Sequence, residues 1–166
     1  MISKARLKYL RSLTKRKGRR QEGQLLLEGV HLAEEAAAAG KARELFVTDE
    51  AADRPQVQAL IERGLPVTAI DAAALAELAQ TESPSGLLTL ADDPCEPLDV
   101  GTLPREAFVL VAAGVADPGN LGSLIRSAAA LGLAAVVTTP GTVEPANGKV
   151  VRASAGAIYR VPVRTG

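Results

Sequence analysis

Residues 114–132 read GVADPGNLGSLIRSAAALG and follow the apolar run AFVLVAA at 107–113. An apolar run that breaks at glycine and resumes after Asp-Pro reads as a strand, a tight turn and a helix start. Asp117 suits the helix cap, and Pro118 suits the first helical position, where no N–H is needed. Leu121, Leu124, Ile125 and Ala128 recur at helical spacing and predict the buried stripe. Gly119 and Gly122 leave the first turn without side-chain bulk. The bare N–H groups and the positive dipole end there predict a site for an anion or polar ligand at the Asp117–Gly122 turn. Asn120 is expected at the mouth of this helix. Arg126, four residues beyond Gly122, is expected on the same side, over the patch the glycine clears. The preceding strand is expected buried on both faces of a parallel sheet, with the ligand at its carboxyl edge. The dinucleotide fingerprint GxGxxG and the phosphate loop GxxxxGK[ST] are absent from this turn. GNLG matches the GxxG clamp of KH domains formally, but it lacks basic residues and the order of elements around it is wrong.

Outward from this stretch the chain alternates strands and helices. GQLLLEG (23–29), ARELFVTD (42–49), LPVTAI (65–70) and SGLLTL (85–90) read as strands. Helices are predicted over 30–40, over 54–64 with Pro55 near its start, and over 71–80 with Asp71 as cap. That alternation predicts an α/β layer. ADDPCEPLDVGTLPRE (91–106) carries three prolines and four acids by residue 99, has no periodicity, and reads as a linker. A second α/β unit follows: the strand at 107–113, the 117–131 helix, the strand LAAVVTT (133–139), a possible helix at 147–157, and VPV. Two clear strands are few for an open parallel sheet, so the unit is expected to be incomplete. The organisation expected is a basic arm (1–22), a first α/β domain (23–92), a linker (93–106) and a partial parallel-sheet domain (107–166).

Charge is distributed unevenly along a chain whose net charge is zero. Residues 1–20 hold nine Lys or Arg and no acid, residues 21–106 carry a net −12, and residues 107–166 carry +3. Such a basic segment predicts an anionic partner. Lys15, Arg16, Lys17, Arg19 and Arg20 are its densest part, and TKRKGRRQEG (14–23) reads as a flexible loop. With two Tyr, two Phe and no Trp, the chain offers no aromatic stacking platform for single-stranded nucleic acid. A lone cysteine, Cys95, forms no internal disulfide and fits a reducing compartment. One Cys and one His give no zinc spacing. No apolar run reaches membrane-spanning length, and the basic start lacks the apolar core of a signal peptide. The expectation is a cytoplasmic protein without a metal. His31, on an Ala-rich helix, reads as a packed or surface residue.

The segment DPGNLGSLIRSAAALG resembles the first motif of the SpoU/TrmH branch of SPOUT RNA methyltransferases, D-P-x-N-x-G-x-x-x-R-x-A-x-x-x-G, at Asp117, Pro118, Asn120, Gly122, Arg126, Ala128 and Gly132. KVVRASAGAIYRVPV (149–163) resembles the family's K-x-x-R-x-S-x-G-A-x-x-x-x-P-V. The first domain, with LLLEG near its start and TESPSGLLTL at its end, resembles the L30e-like RNA-binding extension of the same family. The resemblance covers essentially the whole chain. It implies 2′-O-methylation of ribose in ribosomal or transfer RNA, ribosomal RNA being favoured, with S-adenosylmethionine as donor and a homodimer as the complete form. It further implies that Arg126 steadies charge on the attacking oxygen and that Asn120 positions the ribose or the arginine. The basic residues 15–17, 19 and 20 would then bind RNA phosphates. Arg152 and Ser154 are candidate RNA contacts, or else a helix-terminal ion pair and cap. Glu28, in LLLEG, either serves the site or braces a turn.

The family's later motifs, G-x-E-x-x-G-L and P-M-x-G-x-x-x-S-L-N-V-S-V, build a trefoil knot around the donor. They are not among these 166 residues. By that comparison the cofactor-binding residues lie beyond Gly166, and the chain alone is expected to be inactive. Two other readings stand beside the enzyme: a non-catalytic RNA-binding module of L30e type, and a small nucleotide-binding enzyme using the 117–122 turn.

Overall fold

The computed structural model describes residues 2–103 and 105–166; positions 1 and 104, within the stretches read as arm and linker, lie outside the described residues. The chain divides into two compact units, Met1–Asp93 and Pro94–Gly166.

The first unit opens with two helices, α1 (Lys4–Leu13) and α2 (Arg16–Glu22). Strand β1 (Gln24–Glu28), helix α3 (Val30–Ala38), strand β2 (Ala42–Val47), the short helix α4 (Asp49–Ala52), helix α5 (Pro55–Ile61), strand β3 (Val67–Ala69), helix α6 (Ala72–Leu78) and strand β4 (Leu87–Asp92) follow. The sheet order is β1-β4-β2-β3. β4 runs antiparallel to both neighbours, β2 and β3 run parallel, and the β2–β4 register shifts between Ala42 and Glu44. Alternation along the strands sends side chains to two cores. Phe46, Leu88 and Leu90 join α1 and α6 on one face, through Leu10, Leu13, Leu75 and Leu78. Leu45, Val47 and Leu87 join α3 and α5 on the other, through Ala33, Val57 and Leu60. The result is a three-layer α/β/α unit.

The arm is therefore folded. Leu10 and Leu13 are fully buried, each contributing about 1.5–3 kcal/mol of apolar burial. Arg6 pairs with Glu44 and lies over the Tyr9 and Phe46 rings. The Tyr9 hydroxyl donates to Gln24, Gln24 donates to Asp92, and Arg43 donates to the same carboxylate. Burial, then the nearby Glu22 charge, pushes the Tyr9 hydroxyl above its ordinary pKa. The hydrogen bond from Arg43 holds Asp92 below the usual carboxylate range. The stretch expected as a flexible loop, 14–23, is largely α2. Its composition is polar throughout, so the helix depends on what it packs against rather than on an apolar stripe of its own.

In the second unit, strands β5 (Cys95–Pro97), β6 (Val109–Ala112), β7 (Ala135–Thr138) and β8 (Val163–Thr165) form a parallel sheet in the order β5-β8-β7-β6. Helices α7 (Pro118–Ala130) and α8 (Gly148–Ala153) lie between strands in the chain and pack on each other. The segment read as a linker supplies β5, whose three residues take their ladder partners from Val163, Arg164 and Thr165. The strand expected buried on both faces, β6, is an edge strand among the described residues. Phe108 just before it is 84% exposed and Val111 within it 61% exposed. An apolar run announces a strand; its neighbours decide whether both faces are covered.

Candidate functional site

At the start of α7 the local chemistry matches the sequence reading. Asp117 is in extended backbone and its carboxylate accepts the Asn120 N–H at 2.7 Å, while Pro118 fills the first helical position. Leu121, Ile125 and Ala128 are buried and Leu124 is half-buried. The chemical consequence differs from the one expected. The carboxylate of Asp117 already takes one first-turn donor, the Asn120 N–H, and its negative charge opposes an incoming anion. The helix mouth at Asp117, Gly119 and Gly122 is capped from within. Gly119 would tolerate a Cβ only tightly, 3.1 Å from the Asp117 carboxylate oxygen.

Gly122 corrects the sequence reading most clearly. It is buried, and a Cβ there would meet the Ala153 Cβ at 2.4 Å, the Ala153 carbonyl carbon at 2.8 Å and the Ser154 nitrogen at 2.8 Å. The space is filled by the end of α8, so the glycine permits two helices to touch and clears no ligand patch. Ser154 is fully buried, with its Oγ donating to the Val151 carbonyl at 2.8 Å. It closes α8 and has no surface to offer RNA. Ala155 follows at φ +49°, the one non-glycine residue among those described to lie in the left-handed region. Arg152, half-buried in the last turn of α8, has a partner within the protein.

Asn120 and Arg126 remain as the exposed polar pair of α7. Neither side chain has a hydrogen-bond or ion-pair partner among the described residues. Six residues apart, they are separated by about 9 Å along the helix and roughly 120° around it. The helix therefore does not bring them together, and Asn120 does not hold the arginine. The guanidinium of Arg126 stays charged at any physiological pH, and it is available to a ligand.

In the first unit Lys15, Arg16, Lys17 and Arg20 are exposed, whereas Arg19 is only 6% exposed. The Arg19 guanidinium donates to the carbonyls of Leu13 at 3.2 Å and Thr14 at 3.1 Å. It neutralises the open end of α1 and is a positioning residue, not a phosphate contact. Glu28 accepts from the Gln80 N–H at 3.0 Å and from the Thr81 hydroxyl, so it ties β1 to the turn after α6. His31 is exposed. A cavity of about 480 Å³ lies between the end of β2 and the start of α6, lined among others by Asp49, Glu50, Asp71 and Arg54. Three carboxylates to one guanidinium make it unsuited to phosphate. Among the described residues no group of three His, Cys, Asp or Glu could hold a metal ion, and no helix is long and apolar enough to cross a membrane.

An α/β/α unit is followed by a parallel sheet that carries an Asp-capped, arginine-bearing helix, the two-part arrangement that the resemblance to SPOUT methyltransferases implies. Comparison with known proteins agrees. Residues 4–89 match the MRM3-like substrate binding domain and residues 107–166 match the SpoU rRNA Methylase family. The chain belongs to this family, a SpoU methylase domain preceded by an MRM3-like substrate-binding domain. It is 33% identical over 159 residues to a Bacillus subtilis 23S rRNA (guanosine(2553)-2′-O)-methyltransferase, covering 95% of this chain and 60% of the relative. A crystal structure described as an RNA 2′-O ribose methyltransferase superposes with a TM-score of 0.80 at 32% identity, over 99% of this chain and 63% of that one. The fold is shared equally with AviRb of Streptomyces viridochromogenes, solved with S-adenosylmethionine, at a TM-score of 0.85 and 24% identity over the same shares of the two chains. The chain thus spans about three fifths of the length of these relatives.

Proposed function

We propose that this chain is the RNA-recruiting domain and the first part of the catalytic domain of an RNA 2′-O-ribose methyltransferase, with ribosomal RNA as substrate. The observation that carries it is Arg126: a permanently charged, exposed guanidinium with no partner among the described residues, on the first helix of a SpoU-family domain. A ribose hydroxyl is a poor nucleophile; it becomes a good one as its proton is withdrawn, and that loss places negative charge on its oxygen. A guanidinium beside that oxygen, with a second edge free for a neighbouring phosphate, lowers the barrier by electrostatic stabilisation. An arginine cannot accept that proton, so Arg126 acts through its charge and not as the base.

S-adenosylmethionine would supply the methyl group. At the α7 mouth the Asp117 carboxylate is engaged by the Asn120 N–H, and no donor-binding set is assigned there, so no step is routed through S-adenosylmethionine here. The exposed cations of α1 and α2 would supply sequence-independent attachment to RNA. The proposal extends to a reducing, cytoplasmic setting and to homodimerisation of the complete protein.

The test is ribose-methylation mapping of ribosomal RNA from cells lacking the gene. One site is expected to lose its methyl group, to regain it with a wild-type copy, and to stay bare with an Arg126→Ala copy. An unchanged map overturns the proposal.

A further inference from the structure

Lys4, Lys8, Arg11 and Lys15 follow one another at spacings of four, three and four residues, which places them along one stripe of α1 and its end. α2 turns back so that Lys17 faces this stripe. Between the two helices runs a groove of about 290 Å³, walled by Lys8, Arg11 and Lys15 on one side and by Lys17 on the other, over a floor that includes Ser12 and Gly18. Lys17 and Gln21 also line a second hollow of about 590 Å³ with Arg16 and Arg20. The two hollows share a ridge and form one track. No carboxylate lines either of them. Glu77 pairs with Arg11 from outside the groove, and both side chains are about half exposed, so the pair is weak and a phosphate can replace the carboxylate.

The track is built rather than incidental. The missing Cβ of Gly18 would lie 2.1 Å from the Ser12 carbonyl oxygen, so only glycine lets α2 approach this closely. The Ser12 hydroxyl is turned to the Tyr9 carbonyl at 2.7 Å, and Arg19 fastens the Leu13 and Thr14 carbonyls from below. Leu10 and Leu13 anchor α1 in the core.

Resting on the RNA-methyltransferase reading, we propose that the α1–α2 hairpin is a preformed clamp for the phosphodiester backbone of RNA, with Lys8 and Arg11 as contacts opposite Lys17 and the strand leaving over the ridge toward Arg16 and Arg20. Cations three or four apart on a helix stand about 4.5–6 Å apart along its axis, and their long side chains can span the interval between neighbouring phosphates on an extended strand. A flexible basic tail would have to be ordered on binding, and this hairpin already is.

The experiment measures anisotropy of a labelled, unstructured RNA oligonucleotide titrated with the whole chain over a range of KCl. Six engaged cations predict a log–log slope of about −4, at roughly 0.7 per phosphate on a single strand. Lys8→Gln with Arg11→Gln should reduce the slope by about 1.4 and weaken low-salt binding about tenfold or more. Arg63→Gln, an exposed cation beyond α5, should leave the slope unchanged. Wild-type slope in the double variant, with RNA still bound, overturns the clamp and leaves the methyltransferase reading standing. No RNA binding by the wild type at low salt overturns both. Tighter binding of labelled polyglutamate than of RNA overturns the clamp in favour of an acidic protein ligand.

Discussion

Each unit contains a pair of helices held together by one glycine. In α1–α2 it is Gly18 against the backbone of Ser12, and in α7–α8 it is Gly122 against the backbone of Ala153 and Ser154. The packing device is the same, but what surrounds it differs. Around Gly18 the side chains are long and cationic, and the close approach leaves a charged groove. Around Gly122 they are Leu121, Ile125, Val150 and Val151, all buried, and the approach leaves a sealed core with one arginine on its outer side. A glycine in a helix thus reports a close backbone approach, and the residues around it decide whether that approach makes a site.

The sharpest way to test the α7–α8 side of this contrast is to remove its outer arginine. Made in the complete protein, Arg126→Ala should lower methylation at the mapped site about 10²- to 10³-fold. The melting temperature should stay almost unchanged, because an exposed side chain with no partner among the described residues contributes little to stability. A thermal shift of several degrees with activity intact would show that Arg126 belongs to the packing.

The two glycines can then be compared directly. Gly122→Ala forces a methyl group into backbone atoms of a sealed core and should destabilise the second unit by about 2–3 kcal/mol, read as an early transition in thermal unfolding. Gly18→Ala meets an equally rigid neighbour, but α2 is short and polar and can detach. Its effect should be confined to faster hydrogen exchange in α2 and weaker RNA binding. Equal global losses from both substitutions would erase the distinction between them.

Ser154→Ala should cost about 1 kcal/mol, the worth of a buried hydrogen bond, with RNA affinity unchanged. The smallest effect belongs to Asp92. Its pKa is depressed in the folded state, so the stability it contributes is present above the unfolded aspartate value of about 3.9 and is lost as pH falls through the folded value. The pair is partly exposed, so solvent screening keeps the contribution small. The stability difference between wild type and Arg43→Gln should close below about pH 4, as followed by urea titration at several pH values.

Local chemistry was legible in the sequence. Asp71 caps α6 through the Ala74 N–H at 2.8 Å, and Asp117 caps α7 in the same way, because a cap needs only its own next three residues. The features that sequence concealed depend on distant partners. α2 has no apolar period and forms because Gly18 admits it to the end of α1. β5 is three residues long, follows Pro94 and ends on Pro97, and its ladder comes from β8. Arg19 is one of five neighbouring cations, and nothing in the chain separates it from Lys17 or Arg20 except where its helix face points. Lys8 and Arg11 could have been found from the Lys4, Lys8, Arg11, Lys15 spacing, but the wall opposite them becomes visible only once α2 has turned back.

The bare rim at β6 sets how this chain behaves in the test tube. Among the described residues its backbone is paired with β7 on one side only, and residues 107–113 hold no charge and no proline to deter a stranger. Concentrated samples should therefore gather into β-rich oligomers at temperatures where both units remain native. A lysine at position 111 should raise solubility without moving the melting point, so storage life would be governed by one short strand and not by how strongly the cores resist heat.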